Sequence, residues 1–277
     1  MLDHQQQLIS VECSAAFLGA VDNVEVCILH IHDIRERQRL QRLQREFTAT
    51  VSHELRTPLT AIAGSLGLIN GGALGPVPEA MRGMLEIAQA NSQRLQDLIN
   101  DLLDMDKLLA GKMHFDLRAK LLWPLLEQAI AYNQPYAEQH QVVLQLTGQP
   151  VHCLVNVDEK RLAQVLANLL SNAAKFSPAG GLVQLSLQQQ TSQVRVSVSD
   201  QGPGISADFK PLLFSKFSQA DASDTRQKGG TGLGLVISKE LVERMGGKIG
   251  FDSVEGHGCT FWFEIPIHSV LTRSATP

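Results

Sequence analysis

Residues 79–110 read EAMRGMLEIAQANSQRLQDLINDLLDMDKLLA. Met84, Ala88, Asn91, Leu95, Leu98, Leu102, Met105 and Leu109 recur at alternating intervals of four and three. Leu85, Ile99 and Leu103 widen that stripe. Such spacing holds side chains on one face of a helix, and the face is broader than a two-stranded seam needs. Just upstream, GGALGPVPE (71–79) breaks any helix. Before it, Leu40, Leu43, Phe47, Thr50 and Glu54 are spaced 3, 4, 3, 4. This predicts a helix from a cap at Asp33 to about residue 70, with a bend at Pro58. Two long helices and a short loop make an antiparallel hairpin. One hairpin cannot cover both apolar faces, whereas two hairpins forming a four-helix bundle can, so a homodimer is expected. The competing arrangement packs the face on the chain's own C-terminal part.

The whole chain has 277 residues, 44% of them apolar and 19% charged, with a net charge of −4. That excludes a wholly disordered chain. It also leaves no global basic field for nucleic acid or anionic lipid, so any phosphate is held locally. Cys13, Cys27, Cys153 and Cys259 are far apart and form no CxxC pair. A reducing cytosol is the expected compartment. No apolar run approaches the roughly 20 residues of a membrane span; an anchor upstream of residue 1 remains compatible with this.

On the N-terminal side, Leu8–Phe17 and Val24–His32 alternate as two strands around a turn at 19–23. Two strands alone are marginal, so they read as the end of a larger sheet domain. His30 and His32 share a face, but no third metal ligand accompanies them. On the C-terminal side the pattern becomes mixed. Strands are expected near 114–120, 141–147, 151–157, 182–190, 193–200, 248–254 and 258–267. Helices are expected at 122–139, at 158–176 and from about 231 to Gly246. Without strict βαβ alternation this is an α+β sandwich rather than a Rossmann domain.

Three segments carry chemistry. In the first helix, His53 points about 100° away from the mean seam direction, onto the flank. Glu54 follows it, able to accept the imidazole Nδ1 proton and leave Nε2 as a nucleophile, and Thr57 lies one turn on. In helix 158–176, Leu162, Val165, Leu166, Leu169, Leu170 and Ala173 form a core face, and Arg161, Asn168, Asn172 and Lys175 form a second, polar stripe. Two amides and a lysine at that spacing suit a hydrated Mg²⁺ and phosphates. In the third, VRVSVSD (194–200) delivers Asp200 into the turn DQGPGI, where a carboxylate can accept from an adenine amino group and Gly202 and Gly204 admit a base close to the backbone. Beyond it, KGGTGLGLVISKELVERMGG (228–247) places glycines ahead of a helix, an anion-attracting arrangement that is neither a Walker loop nor a GxGxxG fingerprint.

The segment FTATVSHELRTPLTAI (47–62) resembles the phospho-acceptor box of sensor histidine kinases. RLAQVLANLLSNAAKFSP (161–178), SDQGPGI (199–205), PLLFSKFSQAD (211–221) and GGTGLGL (229–235) resemble the four nucleotide boxes of the same family. CILHIHDIRERQRLQ (27–41) resembles, more weakly, the last strand and exit helix of a PAS sensor domain, with Arg35 where threonine is usual.

The resemblance implies an α+β multidomain protein: a helical hairpin forming a dimeric four-helix bundle, then an α/β sandwich of the Bergerat (GHKL) ATPase fold. The implied domains are the end of a PAS-like domain (1–32), a signalling helix (33–45), a dimerisation and phosphotransfer domain (46–112), an ATP-binding domain (113–268) and a tail (269–277). It implies that His53 is autophosphorylated, Glu54 assists as base, and Thr57 serves a phosphatase reaction. It also implies that Asn172 holds Mg²⁺ with Asn168 and Lys175 nearby, and that Asp200 reads adenine beside Gly202 and Gly204. Phe214 and Phe217 would pack the base of a lid over 218–228. Gly230, Thr231, Gly232, Leu233 and Gly234 would meet the phosphates. ATP and Mg²⁺ are the implied cofactors. A second copy of the chain and a response regulator are the implied partners, with no nucleic acid. Two rivals stand beside this reading: an ATP-driven conformational machine on the same fold, and a dimeric scaffold with a vestigial nucleotide site.

Overall fold

The computed structural model describes residues 10–21, 24–150, 153–218 and 231–270, with the side chains of 17–21, 24–27, 40–42, 44–49, 53, 269 and 270 left out. The chain divides into two compact units, residues 1–99 and 100–277.

The first unit opens with an antiparallel pair, β1 (Val11–Val21) and β2 (Val24–Asp33). Strand β1 runs farther than its alternation suggests. A register shift between Phe17 and Gly19 absorbs one residue, so Gly19 and Ala20 still pair with Val26 and Glu25. Helix α1 (Arg35–Asn70) follows. Its cap position is Ile34 rather than Asp33, but the Asp33 carboxylate still accepts from the first helical N–H, that of Arg35, at 3.0 Å. The helix runs unbroken through Pro58. After the turn at residues 71–78, α2 (Glu79–Leu109) begins.

Cross-hairpin bonds fix the pairing of the two helices: Asn70 Nδ2 donates to Gln89 Oε1 at 2.5 Å, and Gln96 Nε2 to Thr60 Oγ1 at 3.5 Å. Leu85, Gln89, Ser92, Gln96 and Ile99 are the least exposed row of α2 in this unit. The row led by Met84 and Leu95 lies about 100° around the helix from it and is open, as are Val51, Leu55 and Ile62 on α1.

The second unit takes in the end of α2 and the whole sheet. Strands run in the order β3 (Arg118–Leu121), β5 (Cys153–Val157), β9 (Cys259–Val270), β7 (Gln193–Asp200), β6 (Leu182–Gln189) and β4 (Val143–Thr147), and β8 (Lys248–Ser253) pairs with β9. Only β4 and β6 are parallel. Along β7 and β9 the register matches Val194 with Ile265, Val196 with Phe263 and Val198 with Phe261, all buried. The alternate residues, Arg195 and Glu264, form an ion pair on the opposite face, where the guanidinium lies 4.1 Å from the Trp262 ring.

Helices α3 (Leu122–Gln139), α4 (Glu159–Phe176) and α5 (Gly234–Arg244) pack on the apolar face. The expected core face of α4, from Leu162 to Ala173, is buried throughout. Asp158 caps α4, its Oδ1 accepting from the N–H groups of Lys160 and Arg161. Helix α5 starts three residues later than expected. Gly232, at φ +68°, cannot belong to a helix, and Leu233 is the cap.

Candidate functional site

Two elements converge on the polar stripe of α4. Helix α5 starts against it so closely that a Cβ on Gly234 would lie 2.4 Å from Asn168 Oδ1. Asn168 Nδ2 donates to Ser238 Oγ at 2.9 Å, and Asn172 Nδ2 donates to Asn168 Oδ1 at 3.3 Å. Asn172 Oδ1 accepts from no described residue. Lys175 Nζ stands 4.8 Å over the ring of Phe176.

The second convergence is the turn after β7. Asp200 Oδ1 accepts from Gly202 N at 2.8 Å and Cys259 N at 3.2 Å. Burial raises the Asp200 carboxyl above its ordinary range, and those two N–H groups oppose the rise. The glycines here are sterically required. A Cβ on Gly202 would lie 2.8 Å from Phe176 O, and one on Gly204, at φ +70°, 2.2 Å from Val254 O. Ser253 pins the same turn, accepting from Ile205 N at 2.9 Å and donating to Gly258 O at 2.9 Å. An open cleft is lined by Phe176, Ser177, Pro178, Gln201, Gly202 and Pro203. The neighbouring Cys259 thiol is pushed up to about 12 by burial and by the Asp200 charge, so it stays an unreactive thiol.

On the phosphate side three of the expected residues have contacts within the chain. Leu233 is a core residue, its side chain 1% exposed, and its N–H is already taken by Thr231 Oγ1 at 3.1 Å. An isobutyl group gains more from the core than from a polar ligand. Thr231 Oγ1 donates to Asp101 Oδ2 at 2.7 Å, near the end of α2. Phe217 is 63% exposed at φ +60°, its N–H bound to Gly232 O. Phe214 packs against Phe251 with ring centroids 6.1 Å apart. Gly230 and lid residues 219–228 lie outside the described residues.

The end of α2 is fastened to this unit. Leu108 and Met105 are buried in its core, and Arg244 Nη2 donates to Leu108 O at 2.9 Å. Asp104 accepts from Gln164 Nε2 at 2.9 Å.

In the first unit His53 lies within α1, and its side chain is outside the described set. Its helix neighbours Glu54 and Thr57 are exposed, and Ser52 is buried. Among the described residues no group of three or more His, Cys, Asp or Glu side chains is placed to hold a metal ion. No described helix is long and apolar enough to cross a membrane.

The sequence missed Ser238, the partner of Asn168. Its signal was a hydroxyl on a helix face otherwise made of Val236, Ile237, Leu241 and Val242, all buried. It also missed Phe176, which ends α4 at the cleft.

Comparison with known proteins adds the following. Residues 43–111 match the His Kinase A (phospho-acceptor) domain family. Residues 157–269 match the histidine kinase-, DNA gyrase B- and HSP90-like ATPase family. The sensor protein GacS of Pseudomonas syringae pv. syringae is 39% identical over 254 residues, covering 89% of this chain and 27% of that protein. The sensor histidine kinase WalK of Bacillus subtilis (strain 168) is 36% identical over 251 residues, covering 90% of this chain and 40% of that protein. The chain thus spans well under half the length of these relatives. The crystal structure of full-length ShkA in complex with AMPPNP superposes with a TM-score of 0.65 at 31% identity, over 82% of this chain and 47% of that one.

Proposed function

This chain belongs to the sensor histidine kinases of two-component systems, and we propose that it uses ATP to phosphorylate His53 and passes the phosphoryl group to an aspartate of a response regulator. The observation that carries the reading is the pairing of two sites in one chain. One is an Asp200 turn and an α4 amide pair built to admit a nucleotide. The other is a histidine on a helix whose neighbours Glu54 and Thr57 are solvent-exposed.

Asp200 Oδ1 is fixed by two backbone donors, which leaves Oδ2 to accept from the adenine amino group. Gly202 and Gly204 give the base its approach. The residues present fit Mg²⁺: Asn172 Oδ1 is an unclaimed oxygen ligand, with Asn168 holding the amide and Lys175 adding charge toward the phosphates. When bound, the metal neutralises charge on the phosphate oxygens. His53 Nε2 attacks the γ-phosphorus in line as the bond to the β–γ bridging oxygen breaks. ADP leaves, and an N–P bond forms. Glu54 holds the Nδ1 proton and offsets the positive charge that grows on the ring. Thr57 orients water for the reverse reaction on the phosphorylated partner. Phe214 packs under the lid, and Gly232 and Gly234 let backbone approach the phosphates.

Two copies pair through the open rows of the hairpin. The domain limits stated above, a PAS-like end at 1–32 and a cytoplasmic setting belong to the same proposal.

The test is incubation with γ-³²P-ATP and Mg²⁺. Wild type gains label that acid releases and alkali does not, and His53→Gln binds ATP but gains none. Acid-labile label on His53→Gln would overturn the assignment.

A further inference from the structure

Helix α5 buries Ser238 to 2% exposure among apolar neighbours. A hydroxyl in such a place needs a partner, and its partner is Asn168, seventy positions away, at 2.9 Å. From there the bonds run in series. Ser238 Oγ receives the Asn168 NH₂, and Asn168 Oδ1 receives the Asn172 NH₂ at 3.3 Å.

An amide is a donor at one end and an acceptor at the other. With the Asn168 NH₂ turned to Ser238, its oxygen must face Asn172. That draws the Asn172 NH₂ inward and leaves Asn172 Oδ1 pointing away from the chain of bonds. Reversal of either amide would present an NH₂ instead, which no cation accepts. Gly234 closes the space beside Asn168: its backbone approaches so near that a Cβ there would fall 2.4 Å from Oδ1.

We infer that Ser238 is a positioning residue for the metal site: acting through Asn168, it holds in place the Asn172 amide whose oxygen faces the nucleotide. This rests on the assignment of Asn172 to Mg²⁺ made above. Ser238 itself touches neither nucleotide nor metal. It belongs to the same class as the outer partners that orient metal-ligating histidines and carboxylates.

The experiment is calorimetric ADP binding to the full chain, once in EDTA and once across a MgCl₂ titration, with melting of the nucleotide-free protein recorded alongside. Ser238→Ala is expected to raise the Mg²⁺ concentration for half-maximal effect about tenfold and to change ADP affinity in EDTA less than about twofold. Ser238→Thr, which keeps the hydroxyl, restores the wild-type half-point. If Ser238→Ala does not fold, Ser238→Cys, similar in size but a weak acceptor, is expected to show the same direction of shift. A half-point unmoved in the folded variant, or a loss equal with and without Mg²⁺, overturns the inference and leaves the assignment of Asn172 standing. Wild-type ADP affinity indifferent to Mg²⁺ would instead overturn that assignment, and the inference with it.

Discussion

In α4 the apolar residues Leu162, Val165, Leu166 and Leu169 are sealed at 0–1% exposure by the sheet and the neighbouring helices. In the hairpin, Met84 remains 77% and Ile87 64% exposed, with Leu95, Val51, Leu55 and Ile62 also open. Both helices have a clear amphipathic period, so periodicity does not distinguish them. What differs is where the covering surface comes from. The sheet unit supplies its own. The hairpin covers one row, Leu85 to Ile99, and leaves a second about 100° away. Contiguous open apolar rows on a helix pair mark an interface. On the proposal that two copies pair through the hairpin, the first unit's stability is tied to concentration in a way that the second unit's is not.

Leu169→Ala is the severest way to break that contrast. It removes a fully buried side chain from the middle of α4, and a cost of about 3–5 kcal/mol is expected. The loss should be independent of protein concentration, because the cavity lies inside one chain. Calorimetric melting at two concentrations tenfold apart checks this, and a concentration-dependent transition for the sheet unit would dissolve the distinction. Leu95→Ala sharpens the other side. Its expected cost is smaller, about 1.5–3 kcal/mol, and it should fall on association. Light scattering should show the dimer dissociating at higher concentration than wild type, and the helical transition should move down further on dilution. A hairpin that melts at one temperature across the dilution series would show that its open rows need no partner.

The sequence was legible where a period or a local motif encodes the feature. The 4–3 rhythm of α2 gave the hairpin, Val194, Val196 and Val198 gave the inward face of β7, and the DQGPGI turn gave Asp200 with its obligatory glycines. It was illegible where a contact joins distant positions. Thr231 and Asp101 are 130 residues apart, Asn168 and Ser238 seventy, and no local pattern links either pair. Leu233 shows a different limit of local reading. A motif names residues by position, yet at this position the side chain serves the core and only the backbone lies along the loop. The start of α5 shows the same limit, since the helix rule did not register that Gly232 takes a left-handed φ.

The smallest effect concerns the start of α4, the helix on which the self-sufficient unit depends. Asp158 is 8% exposed, and its carboxylate accepts three backbone N–H groups: Asp116 on Oδ2 at 3.0 Å, and Lys160 and Arg161 on Oδ1. Burial, the largest single influence, pushes its pKa up. The N–H groups of Asp116, Arg161 and Lys160, with the Arg161 charge, together outweigh burial and hold it below the ordinary carboxylate value. A lowered pKa means that the ionised group favours the fold. Its contribution is complete above the unfolded value of about 3.9 and is lost as pH falls through the folded value. Asp158→Ala should therefore cost about 0.5–2 kcal/mol at neutral pH. The gap from wild type should stay level down to about pH 5 and narrow only below about pH 4. Asp158→Asn keeps an acceptor without a charge, so it should lose less and show a flatter acid limb. Urea melts of the three proteins between pH 3 and pH 7 test this. A gap that narrows between pH 7 and pH 5 would place the pH dependence on some other group, and α4 would then be held by packing with no electrostatic share from its cap.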